Sequence, residues 1–165
     1  MVNAGFNAGF EECFVEHYPR LVAFGTATTG DRELARELAQ EAFARLHANW
    51  SRISTYDRPA AWLRRVVTNL AIDQHRSRAS ERRALQRLSP ATTSEPAEPP
   101  SDVWSTLVAV LPPRQRAIVT LHYGEDLSVA QIAELLDLSV NTVKSALSKA
   151  RDTLRAALEK EAPHG

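Results

Sequence analysis

The chain of 165 residues balances 20 Lys and Arg against 20 Asp and Glu, and holds one Cys, nine Pro and six Gly, with 44% hydrophobic and 24% charged residues. That length fits one ordinary domain or two small ones and excludes a large multidomain enzyme. The composition excludes a disordered tail, and no apolar run reaches the roughly eighteen residues of a membrane span.

The opening segment MVNAGFNAGFEECF has no basic stretch and no long apolar core. No secretory signal and no membrane insertion are therefore expected, and the location is read as cytoplasmic. Cys13 has no second cysteine to pair with, which fits a reducing compartment.

The zero net charge conceals segregation. Residues 1–50 hold seven acids and four bases; residues 51–88 hold nine Arg and three acids. Residues 89–102 carry Glu95, Glu98 and Asp102 with no base, and the remainder is balanced at seven against seven. Local clustering, not the total, decides whether a polyanion is bound. Seventeen of the twenty bases are Arg, which fits phosphate recognition and equally an Arg- and Ala-rich coding sequence.

In chain order, Phe10, Phe14, Tyr18 (or His17), Leu21 and Phe24 recur at helical spacing, and Pro19 argues for a break or kink among them. Gly30 and Asp31 read as a helix stop and a new N-cap. Leu34, Leu38, Ala42, Phe43 and Leu46 form the next stripe, ending near Trp50. Ser51–Arg58, with Tyr56, reads as a polar loop. Pro59 suits a first helical turn, followed by the apolar face of Trp62, Leu63, Val66, Val67, Leu70 and Ala71 and then by an Arg-rich extension.

Residues 89–101, SPATTSEPAEPPS, hold four prolines and no aromatic or branched aliphatic residue. Such a segment buries no core and reads as an extended linker with a reach of roughly 40 Å. Beyond it, Val103, Leu107, Val110 and Leu111 give a short helix closed by Pro112-Pro113, and residues 114–123 a second, closed by Gly124. Ser128 with Gln131 matches a capping box before Ile132, Leu135 and Leu136. A tight turn around Asp137 leads into a final helix from Val140 to about Lys160. No segment alternates with period two, so the fold class is all-α, with two small helical domains: 10–88 and 102–160, joined by the linker 89–101.

The sharpest pattern is the last one. A short helix, a three-residue turn and a longer helix match a helix-turn-helix. Val143, Leu147, Ala150, Leu154 and Leu158 mark the core side of the final helix. Asn141, Thr142, Lys144, Ser145, Ser148, Lys149, Arg151 and Arg155 occupy its other faces, and these residue types reach base edges and phosphates. A merely solvated face on a helical bundle has the same periodicity. For enzyme chemistry the sequence offers little: the five His form no HExxH, no glycine-rich phosphate loop occurs, and Cys13 with His17 is too few ligands for zinc. No metal, cofactor, catalytic residue or small-molecule substrate is expected.

Taken together, WLRRVVTNLAIDQHRSR and LPPRQRAIVTLHYGEDLSVAQIAELLDLSVNTVKSALSKARDTLRAAL resemble bacterial RNA polymerase sigma factors of the extracytoplasmic-function (ECF) group. ELAQEAF and FEECFVEHYPRLVAFG extend the likeness, which covers about residues 10–88 and 102–160. The resemblance implies a region 2 and a region 4 joined flexibly, with core RNA polymerase, promoter DNA and an anti-sigma factor as partners. Leu38, Gln40, Glu41 and Phe43 match the polymerase-docking helix, although Leu38 and Phe43 also belong to the apolar stripe. Tyr56, Arg64, Arg65, Asn69 and Arg76 match the element that reads and opens the −10 sequence. Asn141, Thr142, Lys144, Ser145, Ser148, Lys149 and Arg151 match the −35 reader.

Two positions depart from the family pattern: Asp137 stands where Gly commonly makes the turn, and Ala146 where Arg is frequent. A dimeric helix-turn-helix regulator that does not act with polymerase is the alternative reading, and polymerase dependence separates the two.

Overall fold

The computed structural model describes residues 4–56, 58–88 and 103–162. The linker assigned to 89–101 lies outside the described residues, among which no strand occurs. The first four helices are α1 (Ala4–Thr29), α2 (Arg32–Ala48), α3 (Trp50–Tyr56) and α4 (Pro59–Leu88). After them come α5 (Val103–Val108), α6 (Pro113–Val119) with a π-helical turn at Thr120–Gly124, α7 (Val129–Leu136) and α8 (Val140–Glu161).

Helix α1 runs unbroken through Pro19, where the sequence points to a break or kink. The ring removes the hydrogen bond to the carbonyl four residues back, that of Val15. Val15 is 74% exposed and Pro19 is exposed as well, so water can serve the released carbonyl and the helix need not end. It stops at Gly30, whose φ of 75° suits a residue without a Cβ.

Asp31 then caps α2, its carboxylate accepting from the Leu34 amide at 3.1 Å. The inward face of α2 carries Ala35, Ala39 and Ala42 between larger residues, all three fully buried. A Cβ on Gly25 of α1 would come within 3.1 Å of the Ala35 Cβ. Small residues on both sides thus let α1 and α2 approach closely.

Residues 50–56, read from the sequence as mostly loop, form the short helix α3. Seven residues are too few to show a period, and α3 is anchored by the buried Ile53 and by Trp50, whose ring packs edge-on to Phe10 at 5.7 Å. Helix α4 buries Leu63, Val67, Thr68 and Ala71, whereas every residue from Ser80 to Leu88 is exposed. Its C-terminal part is therefore an arm beyond the packed bundle. Burial of Leu63 and Val67 at about 1.5–3 kcal/mol each gives α4 its anchorage.

In the second half, α5 ends at Val108, before the Val110 and Leu111 expected to extend it, and Pro112 and Pro113 start α6, as N-cap and first residue. The π-helical turn at Thr120–Gly124 is braced by the Trp104 indole, which donates to the Thr120 hydroxyl at 3.4 Å. Ser128 and Gln131 make the reciprocal capping box that their spacing predicts, at 3.1 and 2.8 Å. Asp137 occupies the left-handed region (φ 55°, ψ 49°), and Ser139 caps α8 through the Thr142 amide at 3.0 Å.

The two halves pack on each other. Helix α6 lies against α1 and α4, and α7 lies against α4. Leu63 and Val67 share one continuous apolar core with Ile118, Ile132 and Leu147.

Candidate nucleic-acid interface

The stripe expected on α8 is largely inward: Val143, Leu147 and Ala150 are buried, Leu154 is half-buried, and Leu158 near the helix end is 55% exposed. This fixes the rotation of the helix about its axis. Asn141, Lys144, Ser145, Ser148, Lys149 and Arg151 are consequently exposed, and Thr142 is half-buried. The Thr142 hydroxyl lies 2.7 Å from that of Ser139, so the first turn is ordered by its own cap before any ligand arrives. Arg151 is already engaged, donating from Nε to the Tyr123 hydroxyl at 2.7 Å with its guanidinium 5.8 Å from the Tyr123 ring centre. Ala146 is 9% exposed, on the buried side of the helix.

On α4, Arg64 and Arg65 do not face solvent freely. Arg64 Nε lies 2.9 Å from Glu125 Oε2 and 3.1 Å from Oε1, while Nη1 donates to the Ala60 carbonyl at 3.3 Å. Its guanidinium carbon sits 6.0 Å from the Phe24 ring centre. Arg65 donates from Nε to the Leu135 carbonyl at 3.0 Å and from Nη2 to the Glu134 carbonyl at 3.4 Å. Asn69 and Arg76 are exposed, and the Tyr56 side chain lies outside the described residues.

A cleft of about 560 Å³ brings candidates from both halves together. Arg76 and His75 of α4 form one wall; Asn141, Thr142, Ser145 and Lys149 of α8 form the other, with Arg114 of α6 beside them. Arg114 and His75 were not among the residues singled out by sequence. Arg114 follows Pro112-Pro113 at a helix start, a basic residue in a first turn, and that was the available signal.

The docking candidates on α2 divide in two. Gln40 and Glu41 are exposed, Glu41 accepting from Arg45 Nε at 2.9 Å. Leu38 and Phe43 are 8% and 3% exposed, in keeping with their place in the apolar stripe of the helix. Phe43 packs edge-on to Phe10 and Phe14, at ring separations of 6.2 and 4.9 Å. The apolar spacing that made α2 recognisable is the reason both residues are spent on the core. Among the described residues no group of three or more His, Cys, Asp and Glu could hold a metal, and no helix is long and apolar enough to cross a membrane.

Comparison with known proteins places both halves. The family described as sigma-70 region 2 matches residues 13–81, and that described as sigma-70, region 4 matches residues 102–154. An RNA polymerase sigma-E factor from Streptomyces avermitilis is 31% identical over 152 residues, covering 91% of this chain and 85% of that protein. The ECF RNA polymerase sigma factor SigL of Mycobacterium tuberculosis is 33% identical over 153 residues, covering 87% and 85%. SigW of Bacillus subtilis, also an ECF sigma factor, is 28% identical over 145 residues, covering 78% of each chain. Among solved structures, the sigma factor RpoE of Bartonella quintana, crystallised with the anti-sigma factor NepR, shares the fold. Its TM-score is 0.70 at 22% identity, over 93% of this chain and 98% of that one.

Proposed function

The chain belongs to the RNA polymerase sigma factors, in the ECF group, and we propose that its α8 reads −35 duplex DNA while Pro59–Arg78 of α4 captures and opens the −10 element. As a sigma factor it binds core RNA polymerase and directs promoter-specific initiation, and it is not an enzyme. Binding energy shifts promoter DNA toward the melted state; no covalent chemistry is needed.

The observation that carries the −35 assignment is the rotation of α8. Its buried stripe leaves Asn141, Lys144, Ser145, Ser148 and Lys149 exposed along a capped helix. Asn141, Thr142, Lys144 and Ser145, near the N-terminus, are the base readers; Ser148, Lys149 and Arg151 supply phosphate affinity. For the −10 element, Arg64, Arg65, Asn69 and Arg76 line a basic track along α4, and Tyr56 in the preceding segment offers a stacking surface for an unpaired base. Gln40 and Glu41 are the polymerase contacts on α2, with Leu38 and Phe43 fixing the helix that presents them.

Residues 10–88 act as region 2, 102–160 as region 4, and 89–101 as the connector. Two promoter elements more than one helical turn apart, over about 34 Å, are within the connector's reach of roughly 40 Å. The protein works in the cytoplasm, where its polymerase is, and an anti-sigma factor restrains it. A dimeric regulator acting without polymerase would leave the region 2 match without a purpose.

Charge reversal at Lys144 tests the assignment. Lys144→Glu lowers affinity for a −35 duplex about tenfold and flattens its salt dependence, while core-polymerase binding is unchanged. Equal loss of both activities would contradict the site.

A further inference from the structure

Tyr123 is a large aromatic side chain left 49% exposed beside the helix assigned to DNA. It belongs to the π-helical turn at Thr120–Gly124, where the Glu125 amide donates to the Thr120 carbonyl at 3.1 Å in place of an α-helical bond. Such turns are rare and recur at functional sites. Here the turn sets two consecutive rings. His122 Nδ1 donates to the Leu127 carbonyl at 2.8 Å, and the Tyr123 ring meets the His122 ring edge-on at 4.8 Å.

The residue that Tyr123 holds is Arg151. Its Nε donates to the Tyr123 hydroxyl at 2.7 Å, and its guanidinium carbon sits 5.8 Å from the ring centre. Nε is the inner nitrogen of the fork, so Nη1 and Nη2 at the outer end remain to bind an anion in the bidentate manner that suits phosphate. The hydroxyl, while accepting from Arg151, keeps its own hydrogen to donate. Lys144, Ser148 and Arg151 follow one another at four and then three residues and are exposed on one face of α8. Arg151 therefore lies about 10 Å along the helix axis from Lys144. A recognition helix reads bases with its N-terminal residues in a groove about 12 Å wide. Side chains two turns further on meet the sugar–phosphate wall of that groove.

We propose that Tyr123 and Arg151 form one phosphate-binding pair at the edge of the −35 site, with Tyr123 fixing the guanidinium and donating its hydroxyl hydrogen to the same phosphate. The pair rests on the −35 assignment above and adds to it a residue outside α8. A long exposed arginine loses rotamer freedom when it binds; held beforehand by a ring and a hydroxyl, Arg151 has less to lose. Because the ligand is backbone phosphate, the pair supplies affinity and register and reads no base.

The test uses the full chain assembled with core RNA polymerase. It is titrated with a −35 duplex whose phosphates are replaced one at a time by neutral methylphosphonate. Wild type is predicted to lose about tenfold in affinity at one phosphate, and Tyr123→Phe and Arg151→Gln are both predicted to be less sensitive to replacement at that position. On the unmodified duplex, Tyr123→Phe keeps the ring and weakens binding about three- to tenfold with an unchanged salt slope, since no charge is lost. Arg151→Gln flattens the slope by about one. The double variant falls short of the product of the two losses by at least about threefold, because each residue acts partly through the other. Wild-type affinity in Tyr123→Phe, losses that simply multiply, or full sensitivity to the same phosphate in Tyr123→Phe overturns the pair. Lys144→Glu separates this result from the wider reading. If it weakens duplex binding and Tyr123→Phe does not, the pair alone fails; if neither does, the −35 assignment fails and the pair with it.

Discussion

Cys13 shows how a single residue's surroundings set its chemistry. It is 7% exposed on α1, and burial, with a smaller contribution from Glu16, raises its thiol pKa above the ordinary value of 9.0. The folded state therefore favours the neutral thiol. That contribution to stability is fully present below the ordinary pKa and is lost as pH rises through the higher folded value. Since the thiolate is the reactive form, Cys13 should react with Ellman's reagent at pH 8 at least about tenfold more slowly in the native protein than in denaturant. Equal rates would show that α1 opens around residue 13. Arg116 has the corresponding cation problem: burial lowers its pKa, and bonds to the Leu111 and Ala109 carbonyls hold the charge in place. Neither environment is visible in sequence, because both depend on side chains brought in from other turns and helices.

At the scale of helices, local signals were the ones that could be read. Gly30 with Asp31, and Ser128 with Gln131, announce a stop and two starts because capping acts over three or four residues. Asp137 shows the same locality, adopting the left-handed turn in place of the more usual Gly. Removing the Ser128 hydroxyl should cost about 1 kcal/mol and lower the melting temperature by about 2–5 °C. Thermal unfolding of Ser128→Ala checks this, and an unchanged melting temperature would mean that α7 is held by Ile132, Ala133 and Leu136 alone. Two elements were not legible from pattern. Pro19 stays within α1 because its side of the helix faces water, and α3 forms because Ile53 finds a tertiary pocket. In each case the deciding partner is solvent or, for Ile53 and Trp50, residues of other helices, outside any local window.

For the whole molecule, the sequence marks two helical halves and a proline-rich joint but not their relation. Arg64 and Glu125 are 61 positions apart, and Arg65 and Leu135 are 70. No periodicity connects them. The candidate site divides along the same line. The exposed face of α8 follows from its apolar stripe, and its residues could be named in advance. The partial sequestration of Arg64 and Arg65 could not, since it is a property of the packed pair. Leu38 and Phe43 show the converse limit, for one apolar spacing marks both a core stripe and a docking helix until burial separates them.

What the whole molecule does, it does with polymerase. Purified core RNA polymerase is mixed with this protein and run-off transcription is measured on a pool of genomic promoters. Saturable core binding, with new transcripts sharing spaced −35 and −10 elements that core alone does not produce, is the predicted result. Tight binding to duplex DNA by the protein alone, with no binding to core and no new transcript, would contradict it.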